Sequence, residues 1–415
     1  MNSENSLYRV QSQPFKNDLR LPSSKSHSNR ALIIGALRGK NFTVENLSTS
    51  TDVVTLLACL EKVGLKISKK DSTIIFLNSF PDCESDTLQE IIDLQTGDGG
   101  TTNRFLLALL SLGKKTYRFF PTEKISERPI LDLINPLKKL DVEIKTESDV
   151  RLDKAWISIK GPAQFSLQQP LEINCSKSTQ FASALKLAFC QKSIQFEFKN
   201  IKASETYLKM TDFVLAETKN RNIFYVPVDF SSLSYPLALA IVEGQVLIEN
   251  CHEVDPTQSD SKFIALIEKM GGDISFSTNG LRASSKNKLT PFEVDISEFP
   301  DLAPTLAFLA SRIEGESILH HLEILRFKES DRLEEIIKIL KLFQVDFDYN
   351  SQADELKITG SFKKILPINV STARDHRIVM TAYLFLHANS GGGLSHSDCV
   401  DKSFPGFFKV MQSSL

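Results

Sequence analysis

Apolar residues recur along the chain in two rhythms. In four places, apolar positions three and four apart, the stripe of an amphipathic helix, give way after a short Gly, Asp or Gln turn to the alternation of a strand. These are LLACLEKVGLKIS from Leu56, LINPLKKLDVEIK from Leu133, FIALIEKMGGDIS from Phe263 and IIKILKLFQVDFD from Ile336. A weaker fifth copy, DFVLAETKNRNIFYV, starts at Asp212. The clear neighbours stand too far apart for a solenoid, in which each short repeat contacts only the next. The pattern predicts two similar halves built from α/β units.

A second class of helix is apolar nearly all round and belongs inside a domain. It comprises RFLLALLSL after Thr101, QFASALKLAFC after Thr179, YPLALAIVEG after Ser234 and LAPTLAFLASRIEG after Asp301. Each follows a small, polar or acidic segment: GDGGTTN, CSKST, DFSSLS and SEFPD. Helix N-termini carry unpaired N–H groups and the positive end of the dipole, so several together suggest an assembled anion site. No linker or low-complexity tract marks a boundary, and the join between halves is expected just before Asp229.

Composition narrows the classes. The 415 residues suffice for two or three folding units, and 49 Lys and Arg against 51 Asp and Glu disfavour bulk nucleic-acid binding. A local basic pocket for a small anion remains open. The six cysteines are scattered and form no zinc pattern, so a reduced, cytoplasmic, metal-free protein is expected. Neither a leader nor a stretch of about 18 apolar residues is present, so a secretion signal and a membrane span are not expected.

The polar clusters carry the candidate chemistry. LPSSKSHSNRAL packs Lys25, Ser26, Ser28 and Arg30 ahead of a helix, which suits a phosphate, or equally an N-cap with solvated basic residues. It lacks the spacing of a Walker P-loop. TGDGGTTNRF supplies glycines for close backbone approach, and ERPI sets Arg128 before a proline; a tight turn and a surface arginine are the alternatives. RFKESDRL crowds Lys328, Glu329, Asp331 and Arg332 at a helix start that needs one capping acid. DHRIVM drives Asp375, His376 and Arg377 into an apolar helix, where unpaired charge is costly and an Asp–Arg capping pair is the alternative. His376 is expected to be a structural hydrogen-bonder, Cys175 a buried small residue, and Lys402 either a site or a surface lysine.

In chain order, LPSSKSHSNRAL, TGDGGTTNRF, ERPI, SKSTQFASALKLA, SSLSYPLALA, FPDLAPTLA, RFKESDRL, DHRIVM and DKSFPGFF make this sequence resemble the 5-enolpyruvylshikimate-3-phosphate synthase family. The resemblance implies an inside-out α/β barrel fold of two domains, each of three βαβαββ copies, with the active site in the cleft between them. By that likeness residues 1–20 plus 228–415 form one domain and 21–227 the other. It also implies a cofactor-free monomer that joins phosphoenolpyruvate to shikimate 3-phosphate, releases phosphate and is a target of glyphosate.

Carried over by motif, Lys25, Ser26, Arg30, Ser178, Thr179, Gln180, Ser204, Tyr207, Asp301 and Lys328 fall on the shikimate 3-phosphate side. Lys25, Gly100, Arg128, Gln180, Arg332, Arg377 and Lys402 fall on the phosphoenolpyruvate side. Asp301 matches the base for the 5-hydroxyl, and Glu329 matches the acid for the enol carbon. Because these two acids lie in different segments, they are expected to meet only across a closed cleft.

Departures stand at Asp98, Phe105, Lys177, Thr179 and Ile324, where the family usually has other residues, and Lys177 is expected to compensate Asp98. The UDP-N-acetylglucosamine enolpyruvyl transferase is the nearest rival, and a non-catalytic anion binder is the rival from another class. RFKESDRL and the absence of a Cys-bearing loop argue against the first. The retained acids and cations argue against the second.

Overall fold

The computed structural model describes residues 7–86, 88–122, 125, 128–146, 155–201, 205–361 and 363–412. Chain contacts divide it into two compact units, Ser23–Pro227 and Met1–Pro22 joined with Val228–Leu415. Strands β1 (Tyr8–Val10) and β2 (Phe15–Leu19) open the chain and belong to the second of these.

The Ser23–Pro227 unit begins with α1 (Lys25–Arg38), β3 (Phe42–Glu45), α2 (Thr51–Lys62), β4 (Ile67–Lys70) and β5 (Thr73–Phe76). Next come β6 (Ile91–Gln95), α3 (Gly100–Leu110), β7 (Thr116–Phe120), α4 (Leu131–Lys138), β8 (Glu143–Thr146) and β9 (Ile157–Lys160). It ends with β10 (Leu171–Asn174), α5 (Gln180–Ala188), β11 (Phe196–Lys199), α6 (Glu205–Thr218) and β12 (Ile223–Tyr225). The sheets β12-β3-β5-β4 and β6-β7-β9-β8 share one plan: a parallel pair, then a hairpin laid antiparallel on the second strand. Among the described residues, the third sheet is the parallel pair β10-β11.

The other unit repeats the plan. It runs α7 (Phe230–Glu243), β13 (Gly244–Ile248), α8 (Lys262–Lys269), β14 (Asp273–Ser277), β15 (Gly280–Ser284) and β16 (Glu293–Asp295). There follow α9 (Ala303–Arg312), β17 (Gly315–His320), α10 (Arg332–Leu342), β18 (Asp346–Asn350) and β19 (Glu355–Gly360). The end is β20 (Ile368–Val370), α11 (His376–Ala388), β21 (Gly392–Leu394) and α12 (Phe407–Met411). Sheets β2-β13-β15-β14 and β16-β17-β19-β18 match the earlier two, and the third is completed by the N-terminal strand in the order β1-β21-β20.

Burial explains the two helix rhythms. Helices α1, α3 and α5 pack on one another and are buried almost all round, as are α7, α9 and α11 in the other unit. Amphipathic α2, α4, α8 and α10 each show one buried stripe. Helices therefore fill the middle of each unit and sheets cover them. After the amphipathic helices the chain reverses through Gly64, Asp141, Gly271 and Gln344, all with positive φ, before the strand begins. Such a residue ends a helix without clashing, most easily when it is glycine. Among the described residues, no helix is long and apolar enough to cross a membrane.

Inner helices of this kind require small residues at close contacts. A Cβ on Gly35 in α1 would lie 2.2 Å from the Phe76 ring. By helix propensity Gly35→Ala gains about 1 kcal/mol, but overpacking costs about 1–3 kcal/mol. We expect the urea midpoint to fall in Gly35→Ala, and a rise would show that Phe76 has room to move.

Candidate active site

The inner helices of each unit begin with polar residues, and in each unit these ends gather charged side chains. In the Ser23–Pro227 unit, Ser24 caps α1, its hydroxyl accepting from the His27 N–H. Lys25 Nζ lies 3.2 Å from Asp52 Oδ2 in the first turn of α2. The Asp52 carbonyl in turn accepts from the Thr102 hydroxyl of α3, so three helix starts are tied together. Asn103 fixes the glycine loop: its amide donates to the carbonyls of Thr96, Gly97 and Gly99, and its oxygen accepts from the Thr96 hydroxyl.

At the start of α3, a Cβ on Gly100 would sit 2.5 Å from Arg128 Nη1. The guanidinium lies on a backbone that only glycine leaves open. Among the described residues, Arg128 Nε and Nη1 are buried with no hydrogen-bond partner. Close by, Arg104 donates to the Gln180 side-chain oxygen at 2.5 Å and to the Pro129 carbonyl. Burial, and then the neighbouring Arg128 cation, pull the Arg104 pKa well below its ordinary value. Two like charges held without water favour an anion between or beside them.

Arg30 is 2% exposed and donates to the Thr211 hydroxyl, the Ser26 carbonyl and the Tyr207 carbonyl, binding α1 to α6. Burial lowers its pKa to about 10. Phe105 lies beneath it, 5.6 Å from the guanidinium carbon to the ring centre, which gives this departure a cation–π role. Ser178 accepts from the Gln180 N–H, and Thr179 is buried at the start of α5. Ser204 lies outside the described residues. Lys177 is exposed and Asp98 half-buried, and no ion pair between them is found among the described residues. The side chain at 177 points to water, where it is best solvated.

In the other unit, Asp301 sits in the turn Pro300–Leu302 before α9, between two cations: Arg332 Nη1 and Arg377 Nη2 each approach one of its oxygens at 2.7 Å. Lys328 Nζ is 4.0 Å away. Arg332 also grips Asp375, with Nε at 2.8 Å from one oxygen and Nη2 at 3.3 Å from the other. Asp375 is wholly buried and caps α11 by accepting from the Arg377 N–H. Glu329 lies with His376 Nδ1 at 2.7 Å, Lys402 Nζ at 3.4 Å and Arg332 Nη2 at 3.8 Å.

One expectation is overturned here. Asp301 and Glu329 lie in the same unit and share Arg332, so they need no closing motion to meet. The starts of α9 and α10 are neighbours, and the Arg332 guanidinium spans the gap. Asp331 alone caps α10, accepting from the Glu334 N–H, which leaves the adjoining charges for the cluster. Lys402 is buried against Glu329 rather than placed on the surface. The structure also adds Asp52 and Asn103, whose signal was a polar side chain where the helical pattern is apolar. Ile324 packs against the core. Cys175 is buried, as expected, and burial pushes its thiol up to about 11.

Burial would raise the Glu329 pKa, but His376, Lys402 and Arg332 outweigh it and hold the carboxyl well below its ordinary range. Glu329, Asp375 and His376 present ligand atoms within 4.8 Å of one another, as a metal site does. Arg332 and Lys402 already lie against these carboxylates and supply the positive charge.

Asp260 behaves oppositely: burial and then the nearby Asp301 push its carboxyl up to about 6. Between about pH 4 and the folded value, the native state keeps a proton that the unfolded state loses. Stability therefore falls as pH rises across that window, by up to about 3 kcal/mol. The depressed carboxyls of Glu329 and Asp375 act at lower pH and with the opposite sign. Urea unfolding of Asp260→Asn is expected to lack the decline between pH 4 and 6, and an unchanged decline would place its source elsewhere.

The family model described as EPSP synthase (3-phosphoshikimate 1-carboxyvinyltransferase) matches residues 10–411. Curated relatives named 3-phosphoshikimate 1-carboxyvinyltransferase include one from Shewanella sp. (strain W3-18-1), 28% identical with 96% of each chain covered. Another, from Pyrococcus abyssi, is 29% identical and covers 96% of this chain and 94% of the relative. The solved EPSP synthase structure from Acinetobacter baumannii superposes with a TM-score of 0.75 at 20% identity, covering 97% of this chain and 96% of that one, and shares the fold.

Proposed function

The chain belongs to the EPSP synthase family, and from that premise we propose that it transfers the enolpyruvyl group of phosphoenolpyruvate to the 5-hydroxyl of shikimate 3-phosphate. The observation that carries this reading is the pair of carboxylates, Asp301 and Glu329, each held among cations and joined through Arg332. The addition step needs a base at the hydroxyl and an acid at the enol carbon, close together in a site rich in positive charge.

In the proposed reaction Asp301 takes the hydroxyl proton as oxygen bonds to C2 of phosphoenolpyruvate, and C3 gains a proton from Glu329. The resulting ketal returns a C3 proton to the Glu329 carboxylate, the C2–O bond to phosphate breaks, and inorganic phosphate leaves with the enol ether formed. Lys25, Arg128, Arg332, Arg377 and Lys402, with Gly100 and Gln180, receive the carboxylate and phosphate of the donor. The acceptor is assigned to Lys25, Ser26, Arg30, Ser178, Thr179, Gln180, Ser204, Tyr207, Asp301 and Lys328. Arg30 contributes chiefly by fixing α1 against α6, since three of its donor groups are already used there.

The depressed pKa of Glu329 bears on this role. With its present cations it is ionised and has no proton to give. An anionic donor competes for Lys402 and Arg332, loosens their hold and raises the proton affinity of the carboxylate. The acid is thus armed by the substrate that needs it.

Phosphate release from phosphoenolpyruvate is expected with shikimate 3-phosphate as acceptor and not with UDP-N-acetylglucosamine. Release with the second acceptor alone would transfer the assignment to the rival enolpyruvyl transferase, and release with neither would favour an anion binder. Asp301→Ala and Glu329→Gln are each expected to lower kcat by about 100-fold or more while leaving KM within a few-fold. Unchanged turnover in both would remove these carboxylates from the chemistry.

A further inference from the structure

Away from the charge clusters at the helix starts, one arginine is buried without an acceptor. Arg312 ends α9 and is 6% exposed, and among the described residues its Nε and Nη2 are buried with no hydrogen-bond partner. The negative end of the α9 dipole offsets part of the charge but leaves these two N–H groups unbonded. Burial lowers the Arg312 pKa, and the charge of Glu243 only partly restores it. Glu243 is itself engaged by His387, whose Nδ1 lies 2.7 Å from its carboxylate.

The internal repeat shows that this position has no structural need of an arginine. The Ser311 hydroxyl donates to the Phe308 carbonyl, and the Ser311 carbonyl accepts from the Ser361 N–H. In the other unit Ser111 does the same, donating to the Ala108 carbonyl and accepting from the Ala163 N–H. By that match Arg312 corresponds to Leu112, which is 7% exposed. One unit buries a leucine where the other buries a cation, so the charge answers to something other than the architecture.

Against Arg312 lies a cavity of about 10 Å³, walled in part by Ser361, Lys363, Phe343 and Phe385. Space of that size admits one particle about as large as a water molecule, which excludes phosphate. Among the described residues no carboxylate lines it, and exposed Lys363 adds a second positive charge. Water would accept from both N–H groups yet leave the buried cation uncompensated, which is costly. We propose that the cavity holds one halide-sized monovalent anion, chloride in ordinary saline, accepting from Arg312 Nε and Nη2. Asp301 precedes α9 and Arg312 ends it, about 15 Å further along the axis, so the site is separate from the carboxylate cluster and stands whatever acceptor that cluster serves.

Two measurements on the full chain test the anion. Crystals soaked in sodium bromide are expected to show an anomalous bromine peak within hydrogen-bond reach of Arg312 Nε and Nη2. In urea unfolding, replacing sodium gluconate by sodium chloride at constant ionic strength is expected to raise the midpoint. At chloride ten times its dissociation constant, the ratio of folded to unfolded chain gains about 11-fold. Arg312→Leu, which copies Leu112, is expected to fold and to lose this gain. A cavity that holds water in place of bromide overturns the proposal. So does a bromine peak without the chloride-dependent rise, which marks an adventitious ion only, and so does a rise that a folded Arg312→Leu retains. If Arg312→Leu does not fold, the bromine map and the chloride series on the unaltered chain decide.

Discussion

A guanidinium with 2% exposure has to be neutralised where it stands, and the chemistry of the 228–415 half follows from that requirement at Arg332. Removing its charge from water costs several kcal/mol unless anions surround it. Asp375 takes one flank, Asp301 another, and Glu329 approaches a third position. Because these acids come from the starts of three different elements, one cation fixes three chain segments relative to one another. The surplus of acid around it then calls in Arg377, Lys328, Lys402 and His376. The cluster is an ionic lattice whose members are replaceable by substrate charge, and a lattice of this kind holds its geometry before any ligand arrives.

The other half solves the converse problem. Here the cations Arg104 and Arg128 are crowded and, among the described residues, Arg128 has buried donors without a partner, while the Asp52 carboxylate lies against Lys25. One half is thus rich in compensated charge and the other holds positive charge in need of an anion. Both arise from the same architecture, in which fully buried helices can place polar groups only at their ends.

Much of this was legible in the sequence. The helix-to-strand copies were readable because Gly64, Asp141, Gly271 and Gln344 mark the change of period, and the inner helices because they lack a polar face. The charged motifs were found, yet their partners were not. Sequence separation hid that Asp301 and Glu329 share Arg332, since spacing along a chain does not report which helix starts adjoin. Phe105 acquired its explanation only when Arg30 was seen above its ring.

The way the chain closes on itself has a consequence for its synthesis. The Ser23–Pro227 unit is continuous and can fold once its last strand has left the ribosome. Its neighbour is not: β2 needs β13, β1 needs β21, and the Asn17 side chain donates to the carbonyls of Val410 and Gln412. Strand β2 must therefore wait for β13, past the middle of the chain, and β1 must wait for β21 while nearly the whole polypeptide is translated. The final strand and the C-terminal residues act as a clasp, so termination before β21 leaves β1 without a partner, and with it an exposed edge available to other nascent chains.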